Sequence, residues 1–528
     1  MKDDRRYFVT VLISSALLIF GSCGSPEIGD QGTDARPNVL IFLIDDLGWR
    51  DTGAYGSEFY ETPHIDRLAA AGMRFTEFTT ASPVCSPTRA SIMTGKHPAR
   101  LNLTNWIGGE QAGMLLQADY VRQLPLSEVT LGEAFHEAGY STGYIGKWHL
   151  GGTGFLPPDQ GFDVAVAVNQ AGQPASYFYP YRQEEPSVWD VPDLEDGEEG
   201  EYLTDRLTDE ALAFIDAQGD NPFFLVLSHY AVHTPLQSKV ALTGKYEEKA
   251  AGLPPASGPE FLSESGLGTT RQRQNHAVYA GMVQSTDESV GRILDRLEAL
   301  GLSDSTIVVF VSDNGGLSTY SGERTLGPTS NLPLRAGKGW LYEGGIRAPL
   351  IIRWPGAAAA GGVSETPASS TDIYPTLLEM AGLAQRPEQH LDGVSLAPVL
   401  RYSIELGRET RFWHFPHYHG SGNRPSGAVR VGDMKLIEWF EDDRVELYDL
   451  AADPGETYDL SAAMPEAVAE LRERLREWRQ EVGAGMPSPN PDYEWRYPAF
   501  LITILLRPRI GPRILRCAWL ECSSWLLR

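Results

Sequence analysis

The chain has 528 residues, 42% hydrophobic and 22% charged, enough for a large core and a smaller second domain. Lys and Arg total 44 against 70 Asp and Glu, a formal net charge of −26. That balance argues against nucleic acid and anionic membranes as partners. An anionic substrate must therefore meet local cations or a metal ion.

Residues Lys2 to Arg6 carry three basic groups, followed by the apolar run Tyr7 to Phe20 and then Gly21-Ser22-Cys23. This reads as a secretory signal over residues 1–22, too short and wrongly flanked for a stable membrane span. The small residues before Cys23 fit a bacterial lipoprotein cleavage site, with Cys23 lipidated and 23–36 as a Gly/Pro/Asp-rich tether; an ordinary signal peptide cut nearby is the alternative. The expected location is the periplasm or cell surface, touching membrane only through that lipid. The remaining cysteines are Cys85, Cys517 and Cys522. Cys85 thus has no evident disulfide partner in the body of the protein, which favours a chemical role.

The apolar run Val39 to Ile44 ends in Asp45-Asp46 and reads as a buried strand of a mostly parallel sheet. A helix opens at Thr62-Pro63 and closes at Gly72. Next comes Cys85-Ser86-Pro87-Thr88-Arg89, a thiol just ahead of the helix-like run Ala90 to Met93. Proline suits a first helical turn, so Cys85 should lie where free backbone N–H groups and the helix dipole favour an anion. Leu131 to Ala138 is a further helix, as is Gln284 to Leu300, with Val290, Ile293, Leu294 and Leu297 at helical spacing.

Thr306 to Val311 repeats the grammar of the first strand and ends in Ser312-Asp313-Asn314. Ligands of open α/β sheets bind beyond the carboxyl ends of the strands, so both acid clusters should converge on one edge. Three carboxylates and an amide are oxygen donors that suit Ca²⁺ or Mg²⁺ better than zinc. Ile373 to Ala381 is a further helix before Gly382. The alternation of strand and helix predicts an α/β class.

Beyond about Leu400, Ala428–Val431, Lys435–Trp439 and Val445–Tyr448 read as strands of a small antiparallel sheet. Pro465 opens a helix with Val468, Leu471, Leu475, Trp478 and Val482 on one face. The expected domains are a catalytic one at 37–400 and a C-terminal subdomain at 401–486, then a basic, apolar tail at 487–528 with no clear affinity to the rest.

Cys85-Ser-Pro-Thr-Arg-Ala-Ser-Ile-Met-Thr-Gly95 resembles the signature of type I, formylglycine-dependent sulfatases. Gly146-Lys147-Trp148-His149, the strand Phe223 to Ser228 with His233-Thr-Pro235, and Gly337-Lys338-Gly-Trp-Leu-Tyr-Glu343-Gly-Gly resemble further motifs of that family. The likeness spans roughly Arg36 to Val482, in order and spacing. It implies an alkaline-phosphatase-like fold: a large mixed, mostly parallel sheet flanked by helices, plus a C-terminal antiparallel sheet and helix.

The resemblance further implies that a formylglycine-generating or anaerobic maturation enzyme converts Cys85 to formylglycine. One hydroxyl of the hydrated aldehyde would attack sulfur and displace the alcohol; the other would expel sulfate. Asp45, Asp46, Asp313 and Asn314, with the converted Cys85, would hold one Ca²⁺ per chain. Lys147 and Lys338 would bear on the sulfate oxygens, and Arg89 would orient the formylglycine. His149 would take a proton as the sulfate ester collapses, and His233 would protonate the leaving oxygen. Asn105, Trp106, His417 and His419 are candidates for sugar contact, whereas His64 and His97 read as structural.

The expected activity is removal of O-sulfate from a saccharide, with galactose or N-acetylgalactosamine sulfate as the sugar. The alternatives are a phosphate or phosphonate monoester hydrolase of the same superfamily and an inactive glycan-binding lipoprotein.

Overall fold

Val39 to Ile44 carry no polar side chain, and the strand Asn38–Ile44 that they form is fully enclosed. Its side chains divide by parity. Val39, Ile41 and Leu43 join one hydrophobic core, while Leu40, Phe42 and Ile44 join another. A strand with a core on each face must be central to a sheet covered on both sides. In the computed structural model, which describes residues 36–265, 267–321 and 327–493, it is. The expected signal segment, the Cys23 anchor and the tail beyond residue 493 lie outside the described residues.

The 8-stranded sheet runs in the order 362–364, 73–75, 350–353, 306–312, 38–44, 223–228, 141–146, 164–166. Leu350–Arg353 is antiparallel to both neighbours, and every other adjacent pair is parallel. The sheet is therefore mixed and mostly parallel, as the residue patterns and the family likeness indicate. Helices Cys85–Thr94, Leu131–Glu137 and Ile373–Met380 contribute to one core. Helices Pro63–Ala71, Leu203–Ala217 and Ala277–Ala299 contribute to the other.

Several boundaries differ from the sequence reading. The helix expected from Gln284 begins at Ala277, capped by the His276 side chain. Cys85 does not precede its helix but is the helix's first residue, and Val84 is the N-cap. All ten residues of Cys85–Thr94 are buried, so this helix has no solvent face to announce it by periodicity.

The C-terminal sheet has four strands, in the order 410–415, 426–431, 434–439, 445–449. The edge strand Thr410–Phe415 was not among the expected strands; it ends just before the segment that carries His417 and His419. Trp413, Phe415, Ala428, Ile437 and Trp439 pack with Val84, Trp340 and Tyr342. On the opposite face, Val429, Leu436 and Leu447 receive Leu471, Leu475 and Trp478 from the helix Pro465–Val482. The small sheet thus braces both Val84, next to Cys85, and the segment that carries Lys338. Among the described residues, no helix is long and apolar enough to cross a membrane.

Candidate active site

Four parallel strands deliver the site from their carboxyl ends. Register pairs Ile44 with Ser312, Leu43 with Ser228, and Gly146 with Ser228. The residues that follow, Asp45, Asp313, Lys147 and His229, therefore leave the sheet at one edge. Backbone bonds fix this edge: Asp313 N–H donates to the Ile44 carbonyl (3.1 Å) and Lys147 N–H to that of Ser228 (2.9 Å). Gly146 permits the turn, with φ +99° and a backbone carbonyl 2.0 Å from where a Cβ would stand.

The helix Cys85–Thr94 points its N-terminus at this edge. No side chain caps it, so its first N–H groups and the dipole remain available to negative charge beside Cys85. Asp45, Asp46, Cys85 and His233 each place a ligand-type atom within 4.8 Å of one another. Asp45 Oδ1, Asp46 Oδ2 and Asn314 Oδ1 are buried without a hydrogen-bond partner. Buried oxygens left unpaired are costly, and three converging from two strand ends are the donor set of a hard divalent cation. Asp313 is not in the 4.8 Å group. Its Oδ2 accepts from Arg89 Nε (2.8 Å) and its Oδ1 from Asp46 N–H (3.2 Å).

Cations interleave with these acids. Lys147 Nζ lies 2.6 Å from Asp45 Oδ2, and Lys338 Nζ lies 2.6 Å from Asp46 Oδ1. Lys338 also donates to Cys85 Sγ at 3.4 Å. Arg89 is wholly buried and reaches the Lys147 carbonyl (2.8 Å) and Ser228 Oγ (2.7 Å). Three carboxylates are thus matched by three cations, and a divalent ion would leave the site positive, as an anionic substrate requires.

Burial pushes the Asp45 carboxyl up to about 8, against Lys147 and with help from Asp313 and Asp46. Burial acts on Asp46 too, but Lys338, His233 and Lys147 hold it below the usual carboxylate range. A carboxylate crowded by other acids is one that a cation would stabilise. The Cys85 thiol is driven up to about 12, again by burial.

The histidines are neutral. His149 is held well below the ordinary imidazole range by burial and by Lys147, and His233 is lowered to about 3 by burial and by Lys338. His149 Nε2 faces the Ile107 carbonyl at 3.2 Å. A carbonyl only accepts, so Nε2 carries the hydrogen and the buried, unpartnered Nδ1 keeps a lone pair. By the same logic His233 Nδ1 donates to the Thr234 carbonyl (2.9 Å), leaving the Nε2 lone pair 3.7 Å from Asp46 Oδ2.

The proposed sugar contacts separate. His419 stands beside Lys338: a Cβ on Gly339 would lie 2.2 Å from His419 Nδ1. Trp106 is half-buried and packs against the cluster containing Val84 and Trp340. Asn105 and His417 are placed otherwise than sequence suggested. Asn105 is fully buried and spends its amide on the Gly109 carbonyl (2.5 Å) and its Oδ1 on Trp106 N–H (3.0 Å), shaping its own loop. His417 is buried with Nε2 on Thr104 Oγ1 (2.8 Å), edge-on to Tyr120 and Phe415. His64 abuts Gly291, and His97 caps the short helix Pro98–Leu101, both structural places.

Two positioning residues escaped the sequence reading. Ser228 accepts from Arg89 and donates to the Lys147 carbonyl (2.7 Å), so one hydroxyl links two site cations. Ser86 Oγ receives Ile107 N–H (3.1 Å), fastening the Trp106 loop to the helix of Cys85. Nothing in the spacing of either serine marks it; only the motif neighbours could have.

An α/β sheet whose carboxyl edge gathers a buried thiol, a cation-ready set of acids and two lysines defines a hydrolase of anionic esters. The chain belongs to the sulfatase family: the model described as "Sulfatase" matches residues 37–383. A second, "N-sulphoglucosamine sulphohydrolase, C-terminal", matches residues 336–481. It is a sulfuric ester hydrolase. A "Sulfatase" of Formosa agariphila is 31% identical, covering 88% of this chain and 93% of that protein. The N-acetylgalactosamine-6-sulfatase of Rattus norvegicus is 34% identical, covering 77% and 72%. Among solved structures, Ps i-CgsB in complex with k-i-k-neocarrahexaose matches with TM-score 0.67 and 27% identity, covering 90% of this chain and 98% of that one.

Proposed function

We propose that this chain removes O-sulfate from a sulfated saccharide, at a galactose or N-acetylgalactosamine sulfate on a chain end, with Cys85 in its formylglycine form. The observation that carries this is the meeting of Cys85 Sγ, Lys338 Nζ and the unpaired oxygens of Asp45 and Asp46 in one buried cluster. Similarity to N-acetylgalactosamine-6-sulfatases supports the choice of sugar.

Formylglycine at position 85, made by a separate maturation enzyme, would supply a hydrated aldehyde as the nucleophile. The donor set fits Ca²⁺, which Asp45, Asp46, Asp313 and Asn314 would hold; when bound it supplies charge against the sulfate. The chain's own groups do the rest. Lys147 and Lys338 draw negative charge off the sulfate oxygens, in a dry site where each is worth more than in water. Arg89, locked by Asp313 and Ser228, keeps the helix start and the strand ends in register. His149 offers its Nδ1 lone pair as a base. His233 serves as the acid once a bound sulfate group adds the negative charge that favours its imidazolium. Trp106 and His419 form the near wall for the sugar. We also infer export and lipid anchoring at Cys23; loss of membrane fractionation in Cys23→Ala protein tests this.

The deciding experiment is mass spectrometry of the Cys85 peptide from the native host, followed by hydrolysis of paired sulfate and phosphate esters. Formylglycine and preferential sulfate release are expected, with activity falling about 100-fold or more on chelation and returning with Ca²⁺. A thiol that is never converted, or faster phosphate turnover, would reject the reading.

A further inference from the structure

Between the segment 76–79 and the small sheet lies a densely charged seam. Arg347 pairs with Glu77 and Glu343, Arg430 with Glu77, Arg408 with Asp372, and Lys435 with Glu343 and Glu456. Arg411, on the edge strand Thr410–Phe415, sits among them and is only 6% exposed. Among the described residues it has no carboxylate within ion-pairing distance. Its Nη1 reaches only the Glu77 carbonyl (3.2 Å) and Thr79 Oγ1 (3.5 Å), and its Nη2 has no partner. Its charged neighbours are two more guanidiniums, Arg430 and Arg408, and the carboxylates of Glu343 and Glu77, which lie beyond ion-pairing distance and are engaged by other cations.

Guanidinium does not shed its proton to escape such a place. The Trp413 ring, 5.9 Å away, offers partial compensation but no counter-charge. A buried cation in a protein is normally paired, so this one lacks its complement.

Arg411 and Arg408 line a cavity of about 180 Å³, far above the ~10–15 Å³ that admits a water. Ser369 and Thr371 line it as well and offer hydroxyls. Its two acids are already engaged: both oxygens of Asp392 accept from Arg100, which also pairs with Glu481. None of the catalytic or metal-type residues lines this cavity. We propose that it is a second, non-catalytic anion site, taking a sulfate group against Arg411 at the junction of the small sheet and the catalytic half. The group is either free inorganic sulfate or a sulfate carried on a saccharide.

The test compares wild-type protein with Arg411→Met by thermal melting, adding sodium sulfate against sodium chloride of matched ionic strength. Both proteins keep the catalytic site, so sulfate binding there cancels. Sulfate should raise the wild-type melting temperature by about 1–2 °C more than that of the variant. An N-acetylgalactosamine 6-sulfate arm, run in a Cys85→Ser background to prevent turnover, separates the two sources. A response to either ligand that Arg411→Met loses supports the site and names its occupant. Equal responses overturn it. Should the variant not fold, wild-type crystals soaked in selenate decide: an anomalous peak beside Arg411 is expected, and a peak at the catalytic centre alone rejects the proposal.

Discussion

A thiol at its ordinary pKa is a serviceable nucleophile near neutrality; Cys85 is not. Burial pushes it up to about 12, although Lys147 and Lys338 pull the other way. At pH 8 only about one molecule in ten thousand would carry a thiolate. The unconverted protein should therefore resist iodoacetamide when folded and label readily in urea; fast labelling of the folded form would show a more open site. At this scale the sequence was legible where motifs name residues: Asp45, Asp46, Cys85, Lys338 and His233 do converge. It could not tell His417 from His419, two residues apart in one segment. Only tertiary packing turns the first to Thr104 and the second to Gly339.

Elements joined by a single side chain can be tested through that side chain's proton. His97 Nδ1 accepts from Ala99 N–H (3.1 Å) to cap its short helix, while Nε2 faces the Phe412 carbonyl (3.0 Å) of the small sheet's edge strand. The ring also packs edge-on against Trp478 of the C-terminal helix, at 4.7 Å. The Nδ1 bond needs the neutral ring, and burial lowers its pKa from 6.5 to about 4 although the Phe412 carbonyl would accept from the charged ring as well. Between these values the unfolded chain binds a proton that the folded chain refuses, so stability falls as pH drops from 6.5 toward 4. The loss from this group should approach about 3 kcal/mol. Urea unfolding at pH 7 and pH 4.5 should show His97→Gln losing about 2–3 kcal/mol less than wild type across that interval; parallel losses would remove His97 from the linkage. Strand Ser141–Gly146 shows why elements were harder to read than motifs. It holds two glycines and three hydroxyl residues, so no apolar run marked it, and its parallel neighbours Phe223–Ser228 and Val164–Val166 make it a strand.

On the scale of the whole molecule, the question is what makes the C-terminal sheet part of the catalytic half. A change of texture near residue 400 was visible in the sequence, but the join across it was not, because its members are scattered over the chain. Lys435 of the small sheet is fully enclosed with Glu343, which follows the Lys338 segment, and with Glu456. Its Nζ bonds Glu343 Oε1 at 2.9 Å and lies 2.9 Å from Glu456 Oε1, an ion pair without hydrogen-bond alignment. Glu456 in turn accepts Glu343 N–H at 2.7 Å, so one lysine neutralises both halves of the joint. Lys435→Met keeps the length of the side chain and removes the charge. Glu343 would then keep Arg347, and Glu456 would have no ion-pair partner among the described residues, a change that should cost about 3–5 kcal/mol. Glu456, already lifted to about 7 by burial, can escape by taking a proton. A carboxyl whose folded pKa lies above its unfolded value costs stability as pH rises between the two, and losing Lys435 lifts the folded value further. The deficit of Lys435→Met against wild type should therefore widen from pH 6 to pH 8 in urea unfolding. Because Glu343 opens the short helix behind Lys338, sulfate ester turnover should fall along with it. A variant as stable as wild type at both pH values would mean that apolar packing around Trp340 and Trp439 holds the halves together unaided.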